Sequence, residues 1–269
     1  MTADFLSDIV EHKKREVKEA KKRVSESALA NDAALSLDRR PFLNVLKKPG
    51  PSGANIIAEI KRASPSKGII CADLDPVVMA KKYEHGGAAA LSVLTDSKYF
   101  KGSIEDLQQA RKATRLPVLR KDFLISSYQI YESAAAGADA VLLIVRILSQ
   151  QQLQDYLKLC DELKLDALVE IYSVKDIEAA VLAKAKLIGI NNRNLSSFET
   201  DTNNAKKLVP FLSPDQVPVA ASGIVTRRDI EENMDAGINN FLVGESLVRA
   251  KDPSAFIRSL LWPEGCVNT

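Results

Sequence analysis

Eight short apolar runs recur along most of the chain, at residues 55–61, 88–94, 117–121, 139–145, 167–171, 187–191, 217–221 and 240–243. Their starts lie roughly 20 to 33 residues apart, the pitch of a strand-loop-helix-loop unit, and runs that are apolar on both faces are what buried parallel strands require. Helical patterns fill the gaps, over residues 104–113, 127–136, 153–163 and 230–236. Gly86-Gly87, Gly137 and Gly237 each close such a pattern and lead into a run, as helix-terminating glycines do. Eight units without a G-x-G-x-x-G turn predict an α/β fold of the closed (β/α)8 TIM-barrel type rather than an open doubly wound sheet.

Residues 4–24, ahead of the first run, read as one helix with Phe5, Leu6, Ile9 and Val10 on an apolar stripe that thins to Val17, Ala20 and Val24. The reading is a surface helix. Its runs Lys13-Lys14-Arg15 and Lys21-Lys22-Arg23 are interleaved with glutamates and are expected to be a solvated face rather than a nucleic-acid patch. A short helix over 41–47 ends at Pro49-Gly50-Pro51-Ser52-Gly53, the clearest break in the chain. Residues 1–53 are therefore expected to form a helical extension packed on the barrel, 54–262 the barrel and 263–269 a tail. The extension is too short and too charged to fold alone.

Charge excludes several classes of partner. With 37 basic and 35 acidic residues in 269, no broad field steers the chain to nucleic acid or anionic lipid, which leaves a small molecule as the expected partner. Cys71, Cys160 and Cys266 are far apart and lack metal-ligand spacing, so neither a disulfide framework nor a zinc site is expected. The N-terminal residues show no apolar signal-peptide core and no uncharged stretch is long enough to span a bilayer. The expectation is a cytoplasmic monomer. The two histidines, His12 and His85, lie in a charged stretch and at a helix end, so acid–base chemistry is to be sought among Lys, Glu and Asp.

Barrel enzymes work at the C-terminal ends of their strands. The first run carries Glu59 and Lys61 two apart, on one face of the strand. The third ends in Arg120-Lys121-Asp122-Phe123, the fifth in Glu170 and the sixth in Asn191-Asn192-Arg193. One charged residue in a strand often only reaches solvent, but recurrence at several ends points to a functional cluster of Glu59, Lys61, Lys121 and Glu170, because buried charges are costly unless paired. The seventh and eighth runs end in Ser222-Gly223 and Val243-Gly244-Glu245, where glycine lets backbone N–H groups approach a phosphate. Ser64-Pro65-Ser66-Lys67-Gly68 adds hydroxyl and amide donors.

Glu59-Ile60-Lys61-Arg62-Ala63-Ser64-Pro65-Ser66-Lys67-Gly68 resembles the signature of the indole-3-glycerol-phosphate synthase family. Leu94-Thr95-Asp96, Tyr99-Phe100-Lys101-Gly102-Ser103, Arg120-Lys121-Asp122-Phe123, Val169-Glu170, Gly189-Ile190-Asn191-Asn192-Arg193-Asn194-Leu195, Ser222-Gly223-Ile224 and Val243-Gly244-Glu245-Ser246 continue the likeness in order. The resemblance implies a carboxy-lyase of tryptophan biosynthesis that closes 1-(2-carboxyphenylamino)-1-deoxyribulose 5-phosphate to indole-3-glycerol phosphate, losing CO2 and water, with no metal or organic cofactor. It assigns the general acid to Lys121 and the dehydration step to Glu170. Lys61, oriented by Glu59, holds substrate anionic groups, and Asn191 and Arg193 face the carboxylate. Ser64, Gly223, Gly244 and Glu245, with Ser222 and Val243 nearby, take the phosphate. Pro65, Phe100, Phe123, Leu142 and Leu195 form the slot for the aromatic ring.

One position departs from the family. Its usual Val-Ala-Glu-Ser-Gly reads Val219-Ala220-Ala221-Ser222-Gly223 here, so a carboxylate is missing from the mouth, and a reduced but real activity is expected. The alternatives are a phosphoribosyl isomerase on the same barrel, which the Lys and Glu set disfavours, and a weakened sugar-phosphate-binding homologue, for which Ala221 is the only encouragement.

Overall fold

The computed structural model describes residues 5–36, 38–194 and 197–263. Eight parallel strands close into a barrel: β1 (Asn55–Ile60), β2 (Ala90–Leu94), β3 (Val118–Lys121), β4 (Ala140–Ile144), β5 (Asp166–Ile171), β6 (Leu187–Asn191), β7 (Val217–Ala221) and β8 (Asn240–Val243). Each strand pairs with its sequence neighbours, and β8 returns to β1 with Ala58 opposite Val243. All eight coincide with the apolar runs. Residues pointing inward meet the other strands and residues pointing outward meet helices, so both faces are apolar apart from Ser92 in the middle of β2 and the polar residues toward the strand ends.

A helix follows every strand, among them Ile104–Ala113, Ser127–Ala135, Gln150–Glu162 and Arg227–Met234. The last two begin about a turn before the apolar periodicity does, because polar capping boxes, Ser149 with Gln152 and Thr226 with Asp229, start them. The helix Pro76–Gly86 ends on Gly87 in the left-handed conformation, φ 93°, before the chain enters β2. A short antiparallel ribbon, Ala63–Ser64 with Gly68–Ile69, follows β1 and gives the Ser-Pro-Ser segment a defined hairpin.

The segment before β1 contains α1 (Phe5–Arg23), α2 (Glu26–Leu35) and α3 (Phe42–Leu46); the sequence pattern did not predict α2. At the N-terminal ends of the strands, the Leu43 N–H donates to Asp166 at 2.7 Å and the Arg40 N–H to Asp139 at 2.8 Å. Phe42 and Leu46 are buried in the same apolar cluster as the inward side chains Ile57, Leu119, Leu168 and Leu187. The opposite end of that cluster takes Ile9 from α1. The extension therefore touches both ends of the barrel.

One expectation needs correction here. The helix α1 lies on the barrel with one face covered, as expected, but that face buries Lys13 together with Leu6 and Ile9. Lys13 is 0% exposed; only its neighbours along the run behave as a solvated face, with Lys14 paired to Glu11 and Lys22 to Glu19 in solvent. Among the described residues no helix is long and apolar enough to cross a membrane, and Cys71 and Cys160 are free thiols. Cys266 lies outside the described residues.

Candidate active site

A cavity of about 520 Å³ opens at the C-terminal ends of the strands. Fifteen of the seventeen residues singled out from the sequence line it. They include Glu59 and Lys61 from β1 and its following turn, Lys121 from β3, Glu170 from β5 and Asn191 from β6. Arg193, Ser222, Gly223, Val243, Gly244 and Glu245 line it from the loops and strand ends that follow, and Ser64, Pro65, Phe100 and Phe123 complete the set. Leu142 does not line the cavity. It sits in the interior cluster of the barrel, 2% exposed, because its place in the middle of β4 sets it below the strand end. Leu195 lies outside the described residues.

Charge is paired closely here. Lys61 Nζ lies 2.8 Å from Glu59 Oε1 and Lys121 Nζ 3.8 Å from Glu59 Oε2, so one carboxylate stands between two ammonium groups. Burial alone would push the Glu59 carboxyl up, but Lys61 and Lys121, with Arg193 farther out, outweigh it and hold it below its ordinary range. Burial pushes Glu170 up instead, and Lys121 and the Asn191 amide oppose that only in part. Two carboxylates at one mouth are thus pushed in opposite directions by their surroundings, the kind of divergence by which a site separates a base from an acid.

Gly244 makes room for the first pair. A Cβ there would collide with the Glu59 carboxylate and come within 3.0 Å of Lys61 Nζ, so the β8 turn passes close to both groups only because it has no side chain. Across the mouth, Asn191 Nδ2 donates to Glu170 Oε1 at 3.2 Å, while Asn191 Oδ1 accepts from the Arg193 N–H at 3.0 Å and from Ser222 Oγ at 2.9 Å. Arg193 in turn donates to Ser66 Oγ at 3.0 Å and to Thr200 Oγ1 at 3.2 Å, bridging the loops after β1 and β6. The Ser64 hydroxyl is buried with no hydrogen-bond partner, a free donor at the cavity wall. Among the described residues, no group of three or more His, Cys, Asp or Glu side chains is placed to hold a metal ion.

The family model for indole-3-glycerol phosphate synthase matches residues 6–260. The indole-3-glycerol phosphate synthase of Desulfosudis oleivorans is 60% identical over 260 residues, covering 96% of this chain and 99% of its own. That of Syntrophobacter fumaroxidans is 51% identical over 258 residues, covering 96% and 97%. The chain belongs to the indole-3-glycerol phosphate synthase family.

Among solved structures, an N-acetylmannosamine-6-phosphate 2-epimerase from Clostridium perfringens shares the fold with a TM-score of 0.60 at 14% identity, over 77% of this chain and 90% of that one. A thiamine phosphate pyrophosphorylase from Pyrococcus furiosus does so with a TM-score of 0.58 at 16% identity, over 78% and 94%. Such likenesses extend to the barrel alone. Membership of the synthase family disfavours the phosphoribosyl isomerase alternative. In this family member Ala221 is 5% exposed, pairs with Asn191 and Leu242 across β7, and lines the cavity where the resemblance leads one to expect a carboxylate.

Sequence reasoning missed part of the cavity wall. Phe5, Leu6 and Ile9 of α1 close one side, Phe198 and Val225 contribute from later loops, and Arg249 stands at the rim. Phe5 meets Tyr99 and Phe198 edge-on, at ring-centroid distances of 5.4 and 4.8 Å. The i, i+4 spacing of Phe5 and Ile9 was the available signal, but it says only that one face of the helix is covered, not by what.

Proposed function

We propose that this cavity closes 1-(2-carboxyphenylamino)-1-deoxyribulose 5-phosphate to indole-3-glycerol phosphate, with Lys121 and Glu170 moving the protons. The ring carbon bearing the carboxylate attacks the ketose carbonyl carbon, and Lys121 gives a proton to the carbonyl oxygen as its charge develops. Loss of CO2 returns the electron pair to the ring. Glu170 then gives its proton to the resulting hydroxyl, which departs as water, and takes one from the adjacent methylene carbon as the double bond forms. Lys121 recovers from solvent the one proton that converting a carboxylate to CO2 consumes.

Lys61, held by Glu59, meets the substrate's anionic groups, and the planar guanidinium of Arg193 suits the carboxylate. Ser64 and the backbone at Gly223, Gly244 and Glu245 take the phosphate, with Ser222 and Val243 alongside. Pro65, Phe100 and Phe123, joined by the α1 side chains, hold the aromatic ring. The observation that carries this assignment is the placement and opposed behaviour of the two carboxylates: Glu59 lies between Lys61 and Lys121, which hold its carboxyl below the ordinary range, while burial pushes the Glu170 carboxyl above its own. Balanced net charge, +2 over the chain, and free thiols support a cytoplasmic protein with no nucleic-acid partner, acting as a monomer in which residues 1–53 serve the barrel rather than a second subunit.

The direct test follows indole fluorescence after adding the carboxyphenylamino-deoxyribulose phosphate. Turnover by the unaltered protein and its loss in Lys121→Ala are expected. No turnover by the unaltered protein, or undiminished turnover by Lys121→Ala, overturns the assignment.

A further inference from the structure

Lys13 is buried among carboxylates that the proposed reaction does not use. Its Nζ lies 2.9 Å from Asp96 Oδ2 and 2.8 Å from Asp122 Oδ1, with Glu16 on its own helix at 3.2 Å. Burial alone would push the Lys13 ammonium down, but Asp122, Asp96 and Glu16 outweigh it, so the group is held charged. Four residues before it on α1 comes Ile9 and four earlier Phe5, so the helix face that lines the cavity is the face that carries this ammonium into the barrel.

Each of the two aspartates also grips the backbone of one aromatic wall residue. Asp96 Oδ1 accepts from the N–H groups of Tyr99 at 2.6 Å and Phe100 at 3.3 Å, capping the turn Ser97–Phe100. Asp122 Oδ1 accepts from the Phe123 N–H at 2.8 Å. Phe100 and Phe123 face each other in the cavity with ring centroids 6.2 Å apart. One ammonium therefore bridges two buried anions, and each anion holds one wall of the slot.

The anchoring is unequal. Asp122 Oδ2 also accepts from Thr95 Oγ1 at 2.6 Å and from Arg120 at 3.3 Å. For Asp96, Lys13 is the one cation within ion-pair distance among the described residues. Removing the ammonium leaves two buried carboxylates repelling each other, and Asp96, with the Phe100 turn attached, is the side free to yield.

We propose that Lys13 is a positioning residue that sets the width of the slot between Phe100 and Phe123, and through it which substituents on the substrate's aromatic ring the site accepts. This rests on the function proposed above. The test compares kcat/KM for the parent substrate with that for an analogue carrying one methyl group on the benzene ring, in the unaltered protein and in Lys13→Met. The ratio of the two values does not depend on how much of a preparation is folded, so a merely structural role leaves it in place.

The expected result is a shift of about tenfold toward the methylated substrate, the scale on which an apolar pocket discriminates one methyl group. It is accompanied by a raised KM for the parent with kcat little changed. Asp96→Asn is the second variant, for use if Lys13→Met does not fold. It keeps an oxygen to cap the turn at Phe100 while removing the charge that faces Lys13, and the same shift is expected. A ratio that stays in place, or moves toward the parent, in an active variant overturns this proposal alone, whereas absence of turnover by the unaltered protein overturns the function beneath it.

Discussion

Asn191 donates its side-chain amide to Glu170 Oε1 at 3.2 Å from the neighbouring strand. Its amide cannot turn over without loss, because its oxygen already accepts from the Arg193 N–H and Ser222 Oγ. The donor therefore always faces the carboxyl group that burial pushes up, and it favours the charged form, which limits that push.

Asn191→Ala removes this brake. The Glu170 carboxyl then rises further, so its protonated form persists to higher pH. The alkaline limb of the kcat/KM profile, which reports the free enzyme, is expected to move up in pH, while the maximum rate falls by roughly tenfold because the carboxyl loses its orientation. A limb that stays in place or moves down would show that Asn191 does not act through Glu170.

Lys61→Ala and Glu170→Gln separate binding from chemistry. The first removes a cation that meets anionic groups in ground and transition state alike and is expected mainly to raise KM. The second removes a proton donor and is expected to lower kcat by about 10² or more. Steady-state kinetics of both variants read this directly, and the reverse pattern would exchange their roles.

Ala221→Glu introduces, at the end of β7 and opposite Asn191 in the register, the carboxylate that the family resemblance leads one to expect there. The expected outcome is a kcat/KM gain of about tenfold at its best pH, with the acid–base profile displaced upward because a second negative charge near Glu170 disfavours its ionisation. No gain at any pH would show that the missing carboxylate costs this protein nothing.

Asp122 links stability to pH. Burial would raise its pKa, but Lys13 and Arg120 outweigh that and bring it to about 2, against about 3.9 in an unfolded chain. A carboxyl group depressed by folding contributes stability that is full above its unfolded pKa and lost as pH falls through the folded one. The contribution is on the order of 2 kcal/mol. Urea midpoints of the unaltered protein are expected to fall between about pH 4 and pH 2, and the fall to be shallower in Asp122→Asn; equal slopes would place the acid sensitivity elsewhere.

Much of the mouth was legible because its chemistry is written at strand ends. Glu59, Lys121, Glu170 and Asn191 stand out as polar residues closing apolar runs, and a barrel brings all such ends to one rim whatever the helices do. Leu142 is the reverse case: a leucine inside an apolar run carries no mark of its height along the barrel axis, and it packs in one cluster with Phe123 and Leu242 of the cavity wall. Lys13 was misread because its neighbours Lys14 and Lys22 are solvated, and a run of like residues conceals the one member that points inward.

The sequence by itself determined the eight strands, their parallel closure and the set of ionisable groups at one rim, since each depends on local periodicity and on which residues water will or will not release. Only the tertiary structure decided that Glu59 stands between two lysines while Glu170 rests on an amide, and that α1 walls the cavity with Phe5, Leu6 and Ile9 while its Lys13 bridges Asp96 and Asp122. Apart from the Glu59–Lys61 pair, those contacts join residues far apart in the chain. Whether a charge is buried, paired or free is a property of the groups that packing brings within a few ångströms of it, and no local pattern carries that information.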